Sequence, residues 1–156
     1  MEIERKFLVR ALPEDLERWT ATRLEQGYVA ITDDAEVRVR RRDGADTATL
    51  TIKSAPGLAR VEEELDIDAR RFDGLWPLTA GRRLVKTRHT REAAPGVVYE
   101  LDVYEGDLEG LLTLEVEFGD EAAAGAFEPP AWAGDELTGD RRYANQTLAL
   151  EGRPPG

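Results

Sequence analysis

The sequence predicts an α+β protein that is mostly β, an antiparallel sheet with a few helices packed outside it. Three observations predict it: apolar and polar residues alternate with period two in eight successive segments, turn-forming residues separate those segments, and helix punctuation is confined to four stretches. The strands are expected at Glu2 to Val9, Tyr28 to Thr32, Ala35 to Arg42, Thr47 to Ser54, Arg60 to Ile67, Arg82 to Thr90, Val97 to Tyr104 and Leu111 to Phe118. Asp33-Asp34, Asp43-Gly44, Pro56-Gly57, Pro95-Gly96 and the stretch from Gly106 to Gly110 suit the reversals between them. Pro13 to Gln26 is expected to be helical, with proline near its first turn and Gly27 just past its end. Asp68 is the expected cap of a short helix reaching Trp76, and Asp120 of another through Phe127 that stops at Pro129-Pro130. A last helix is expected from Asp140 to Leu150. Trp19, Trp76 and Trp132 each sit in or beside these segments with apolar neighbours and read as packing residues.

With 156 residues the chain suits one unit over 1–150 with a frayed tail at 151–156. The net charge of −11 argues against a general nucleic-acid or membrane-surface binder, so an anionic ligand has to be met locally. The acidity is uneven: residues 1–91 hold 18 basic and 17 acidic side chains, whereas 92–140 hold none and 14. One part of the chain therefore supplies cations and another anions. No cysteine is present, which excludes thiolate zinc sites and cysteine nucleophiles. His89 is the only histidine, so a Ser/His/Asp site or a zinc site has little to work with; it lies on the opposite parity from Lys86 and Arg88 and is expected to face outward. No apolar run reaches the roughly 18 residues of a membrane span, and a cytoplasmic, soluble protein is the expectation.

Separating each strand by parity puts Phe7, Val9, Val39, Leu50, Ile52, Leu65, Leu101, Leu114, Val116 and Phe118 on one face. The other face is almost wholly ionised. Six same-sign pairs recur there at i,i+2: Glu2/Glu4, Arg38/Arg40, Glu62/Glu64, Lys86/Arg88, Glu100/Asp102 and Glu115/Glu117, each pair about 6.6 Å apart along its strand. A solvated face is ordinary on an antiparallel sheet, but it mixes signs and uses Thr, Ser and Gln freely. Segregated charges point to a ligand. Arg and Lys around a cavity grip phosphoryl oxygens, while clustered carboxylates attract the hard divalent cation that phosphates also coordinate. If the sheet closes with this parity inside, the charges line a tunnel and the apolar face lies outward beneath the helices.

The residues carrying these charges resemble a known family in order along the chain. Glu2-Ile3-Glu4-Arg5-Lys6 matches the opening Glu-x-Glu-x-Lys signature of the CYTH superfamily, the triphosphate tunnel metalloenzymes. The likeness continues through Glu36-Val37-Arg38-Val39-Arg40, Thr51-Ile52-Lys53, Arg60-Val61-Glu62-Glu63-Glu64, Val85-Lys86-Thr87-Arg88, Glu100-Leu101-Asp102, Leu114-Glu115-Val116-Glu117 and the stretch from Leu137 to Asn145. This resemblance implies an eight-stranded antiparallel closed barrel with a charged lumen, a short bacterial-type inorganic triphosphatase in its simplest form. Carried over by position, it implies that Lys6, Arg38, Arg40, Lys53, Lys86 and Arg88 bind triphosphate and that Glu2, Glu4, Asp102, Glu115 and Glu117 serve Mg²⁺ or Mn²⁺. Glu2, Glu4 and Lys6 would stand at the reacting end, where a cation lowers the pKa of the attacking water. Arg42, Arg60, Glu62, Glu64 and Glu100 are the less certain members of this face, and Arg60 could equally orient Glu62.

The expected reaction is metal-dependent hydrolysis of inorganic tripolyphosphate to pyrophosphate and orthophosphate, because the short connections leave little material to recognise a base. A class IV adenylyl cyclase and a thiamine triphosphatase are the alternatives on the same fold, and a non-catalytic polyphosphate-binding domain is the alternative outside catalysis. The expected partner is a small-molecule polyphosphate, with no nucleic acid and no membrane; a homodimer is left open.

Overall fold

The computed structural model describes residues 3–54 and 61–155. Nine strands form one sheet: β1 (Ile3–Val9), β2 (Thr20–Ile31), β3 (Ala35–Arg42), β4 (Thr47–Ser54), β5 (Glu62–Asp68), β6 (Arg83–Ala94), β7 (Val97–Tyr104), β8 (Leu112–Phe118) and β9 (Ala133–Glu136). Their spatial order is β5-β4-β3-β2-β6-β7-β8-β1-β9, with antiparallel pairing at the registers resolved along the sheet. Among the described residues three helices accompany the sheet: α1 (Ala69–Leu75), α2 (Glu121–Ala126) and α3 (Asn145–Glu151). Asp68 and Asp120 cap α1 and α2 through the backbone N–H groups of Arg71 and Ala123, as expected of carboxylates at those positions. No helix among the described residues is long and apolar enough to cross a membrane.

Three expectations change. The segment expected as a helix from Pro13 to Gln26 is a single 3₁₀ turn at Leu16–Arg18 followed by the long strand β2, into which the short strand expected at Tyr28 merges. Tertiary pairing overrides local punctuation here, since β2 is hydrogen-bonded to β3 on one side and β6 on the other. Gly27 ends no helix. It sits mid-strand because Thr79 is packed against it, at 2.6 Å from where a Cβ would lie. The second change is closure: among the described residues no pairing joins β5 to β9, so the expected closed eight-stranded barrel is an open nine-stranded sheet. The strand β9, not expected from the sequence, pairs with the edge of β1 through Phe7 with Glu136 and Val9 with Ala133. Arg5 bonds Glu136 across that edge at 2.6 and 3.0 Å. The last helix is also shorter than expected, a 3₁₀ turn at Arg141–Tyr143 preceding α3.

The apolar parity is packed most densely on β1, β7 and β8. Phe7, Leu101, Leu114, Val116 and Phe118 bury with Trp19, and Tyr99, Phe127 and Trp132 close over them. On β3 and β4, α1 covers Val39 and Ala48 through Phe72, which stacks on Trp76 at 5.1 Å. Farther along the same outer face Ile52 and Leu65 remain exposed. At one end α3 inserts Leu148 against Tyr28, Leu84 and Tyr104. His89 pairs in register with Ala21 and Leu101, on the outer face as expected.

Candidate functional site

Cross-strand partners put the charges on one face. Glu4 lies opposite Glu117 and Lys6 opposite Glu115 across β1 and β8; Glu100 opposite Glu115 across β7 and β8; Arg88 opposite Asp102 across β6 and β7; Lys53 opposite Glu36 and Glu62 across β4 and its neighbours. The sheet curls enough that side chains from β1, β2, β3, β4 and β8 line one cavity of about 560 Å³, walled by Glu4, Lys6, Tyr28, Glu36, Arg38, Lys53 and Glu115. Its remaining wall is the C-terminal segment, including Asp140, Arg141 and Asn145. A second cavity of about 300 Å³ on the same face is lined by Thr22, Leu24, Arg40, Arg42, Arg88, Thr90 and Glu100. The first cavity balances four cations with four carboxylates, and the second sets three arginines against one glutamate.

Between them lies a buried polar layer. Lys86 is fully buried, with Nζ 2.8 Å from Asp102 Oδ2. Arg88 donates to both Asp102 oxygens at 2.9 and 3.0 Å and sits 2.5 Å from Glu100. Burial alone would raise Asp102, but Lys86 and Arg88 overcome it and hold the carboxyl down to about 2. Burial lowers Lys86 to about 8, with Asp102 opposing and Arg88 and Arg40 adding to the fall. Burial likewise lowers Arg40 to about 10, aided by the like charges of Arg38 and Arg88. Arg40 donates its Nε to the Gln26 side-chain oxygen at 2.7 Å, and the Gln26 amide donates to the Tyr28 hydroxyl at 3.1 Å. Arg38 carries a buried Nε with no hydrogen-bond partner among the described residues. A guanidinium that lines a cavity and has a donor unused by the protein leaves capacity for an acceptor from outside.

The carboxylates gather on the other side. Burial pushes Glu100 up to about 7 against the pull of Arg88, and a hydrogen bond with Glu117 adds to the rise. No group of three or more His, Cys, Asp or Glu among the described residues is already drawn together at metal-ligating distance. Lys6 donates to the Tyr143 carbonyl at 2.7 Å and lies 3.8 Å from Glu115. Glu62 lies 3.8 Å from Lys53 near the open edge, and Glu64 is exposed on the edge strand. Asp102, expected beside a metal, has both oxygens engaged by Lys86 and Arg88. Glu2 and Arg60 fall outside the described residues.

Sequence reasoning did not single out Gln26 or Thr22, and it gave Glu36 and the stretch from Leu137 to Asn145 only as part of the resemblance, with no site role. Glu36 is two residues from Arg38 and shares its parity, so the alternation already contained it. Gln26 and Thr22 were hidden by the helix expected there.

An antiparallel sheet curled around ionised side chains, with its hydrocarbon turned outward, defines a class of proteins with a charged lumen. The CYTH domain family matches residues 1–147, and the chain belongs to it. It is 47% identical over 150 residues to the inorganic triphosphatase of Nitrosomonas europaea, covering 96% of this chain and 97% of that protein. It is 33% identical over 149 residues to the inorganic triphosphatase of Acetivibrio thermocellus, covering 94% and 92%. The crystal structure of the inorganic triphosphatase NE1496 matches with a TM-score of 0.80 at 44% identity, covering 100% of this chain and 97% of that one.

Proposed function

We propose that the protein is a phosphoanhydride hydrolase that cleaves inorganic tripolyphosphate to pyrophosphate and orthophosphate within this lumen. The observation that carries the reading is the convergence of Lys6, Arg38 and Lys53 on one cavity, with Arg40, Lys86 and Arg88 continuing the row along the same face. The names of the relatives over nearly the whole chain support it.

Phosphoryl transfer asks the protein mainly to hold the chain in line and to stabilise charge on the leaving oxygens. Lys6, Arg38 and Lys53 would bind the body of the substrate. Arg40 and Arg88 would meet its inner end. Lys86 gives up its proton more readily than an ordinary lysine. Fully buried against Asp102 and lining neither cavity, it would act by setting positive charge behind Arg40 and Arg88 and not by touching the attacking water. Asp102 is assigned here to positioning Lys86 and Arg88.

The carboxylate donors fit a hard divalent cation. Glu100 and Glu117 share a hydrogen bond, and this gathering of carboxylates on neighbouring strands supplies the oxygen donors such a cation takes. Glu4, Glu115 and Glu117, with Glu2 by sequence position, would hold Mg²⁺ or Mn²⁺. Such a cation, when bound, supplies neutralisation of phosphate oxygens.

The test is product release from tripolyphosphate, thiamine triphosphate and ATP, each with Mg²⁺, with Mn²⁺ and with EDTA. Orthophosphate from tripolyphosphate that disappears with chelator is the expected result. Cyclic AMP from ATP would establish the cyclase, preferential thiamine triphosphate cleavage the thiamine enzyme, and chelator-insensitive binding without turnover a polyphosphate-binding domain.

A further inference from the structure

The second cavity differs in kind from the first. Its wall has a surplus of positive charge: Arg88 is held by Glu100 and Asp102, whereas Arg40 hydrogen-bonds the neutral oxygen of Gln26 and shares Asp102 only at a distance with Arg88 and the buried Lys86. Arg42 lies at its rim opposite Leu24 in the β2–β3 register, and its side chain has no hydrogen-bond or ion-pair partner among the described residues. Thr22 and Thr90 add hydroxyl donors on the same wall. A substrate carrying divalent cations suits a cavity with matched charges. A small oxyanion without a metal suits one with a surplus of guanidinium, because each fork offers paired N–H donors to tetrahedral oxygens. The volume of about 300 Å³ leaves room for one such ion and its water.

We infer that this cavity is a separate oxyanion site that takes inorganic orthophosphate, with Arg42 as its own ligand and Arg40 and Arg88 shared with the inner end of the substrate. In naming orthophosphate as the product retained there, the inference rests on the hydrolysis proposed above. Once the terminal phosphoryl is cut free, it leaves through the mouth lined by Arg42, while pyrophosphate stays in the larger cavity.

Two measurements test it. Pyrophosphate formation is followed with tripolyphosphate varied at several fixed orthophosphate concentrations, in the wild type and in Arg42→Ala. Calorimetric titration with inorganic phosphate alone, with and without EDTA, is run on both proteins. Orthophosphate is expected to lower apparent kcat as well as raise apparent KM, because it binds while the first cavity is filled. Arg42→Ala is expected to weaken phosphate binding about tenfold, the scale of one lost charge-assisted contact. Its KM for tripolyphosphate without added phosphate should stay within about twofold, and chelator should leave calorimetric binding unchanged. Purely competitive inhibition with the same inhibition constant in Arg42→Ala would overturn the inference, placing phosphate in the larger cavity. So would a parallel rise of KM and inhibition constant, which would make Arg42 part of the substrate site. If no pyrophosphate forms from tripolyphosphate, the hydrolysis reading fails, and calorimetry with phosphate alone still decides whether the site exists.

Discussion

The half of the sheet made by β1, β7 and β8 and the half made by β3, β4 and β5 share one alternation, yet they are built to opposite specifications. The first turns Phe7, Leu101, Leu114, Val116 and Phe118 into a closed aromatic and aliphatic layer outside and carries carboxylates within. The second carries Arg38, Arg40, Arg42 and Lys53 within on β3 and β4, answered by Glu36 and by the glutamates of the edge strand β5, and its outer face is covered by α1 only near Val39 and Ala48, leaving Ile52 and Leu65 40% and 56% exposed. Hydrocarbon therefore secures the acidic half, while the basic half is secured more by hydrogen bonds to its neighbours. The seam where they meet, at β6 and β7, is where buried opposite charges touch.

That seam gives the largest expected effect. Asp102→Asn keeps the shape but leaves Lys86, Arg88 and Arg40 buried without their shared anion, and should destabilise the protein by about 3–5 kcal/mol in denaturant unfolding. Adding Lys86→Met should recover part of that loss, because the double variant removes a cation that burial already disfavours. If the double variant is no more stable than Asp102→Asn, the two halves are not joined through this pair. The pH dependence has a defined sign. Asp102 is held below its ordinary value, so its contribution is full above about pH 4 and is lost as pH falls towards about 2. The acid limb of the wild-type stability curve should be shallower in Asp102→Asn.

Next in size is the basic half's proposed work on substrate. Lys53→Ala and Arg40→Ala should each lower kcat/KM for tripolyphosphate by about 10²-fold, the magnitude of one lost electrostatic donor. Far-ultraviolet circular dichroism should remain that of the wild type. Near-normal rates in both variants would contradict a phosphate clamp and leave these side chains as solubilising charges.

Much of this layout was legible in the chain. Alternation fixed seven of the eight expected strands near their observed places, and the parity of Arg38, Lys53, Lys86 and Glu115 assigned them to one face before any coordinates. The miss at residues 13–26 came from reading Pro13 and Gly27 as helix punctuation, although Thr22, Leu24, Gln26 and Tyr28 already alternate. What decides that segment is pairing with β3 and β6, which lies far away in sequence. The division of the lumen into two cavities was not legible, because it depends on how far Asp102 draws Lys86 and Arg88 together. β9 was missed because Ala133 to Glu136 is short and has no alternation to read.

Gly27 turns that miss into a test of intermediate size. A methyl group there would meet Thr79 Cβ, Oγ1 and Cγ2 at 2.6 to 2.9 Å. Thr79 cannot swing away cheaply: it is fully buried, its hydroxyl donates to the Trp76 carbonyl at 2.6 Å, and Arg83 donates to that hydroxyl at 2.8 Å. Gly27→Ala should therefore cost about 1–3 kcal/mol of stability in thermal or denaturant unfolding, as overpacking does. A helix-ending role for Gly27 would instead make the loss depend on backbone angle, but the residue lies within a strand and has no positive φ.

The smallest effect comes from the outer face of the basic half, and it bears most directly on why the two halves differ. Leu65 pairs with Leu50 across β4 and β5, yet more than half of it reaches solvent. Leu65→Thr introduces a β-branched residue suited to a strand and removes little buried area, so its stability should change by no more than about 0.5 kcal/mol. Leu101→Ala, on the fully packed half, should lose about 2–5 kcal/mol by the same measurement. β5 also sits at the edge of the sheet with Glu62, Glu63, Glu64 and Asp66 along it, a run of like charge that disfavours pairing with another strand of the same kind. A loss above about 1 kcal/mol for Leu65→Thr that grows with protein concentration would mean this face is covered in solution by a second copy, and the contrast between the halves would then belong to the free chain alone.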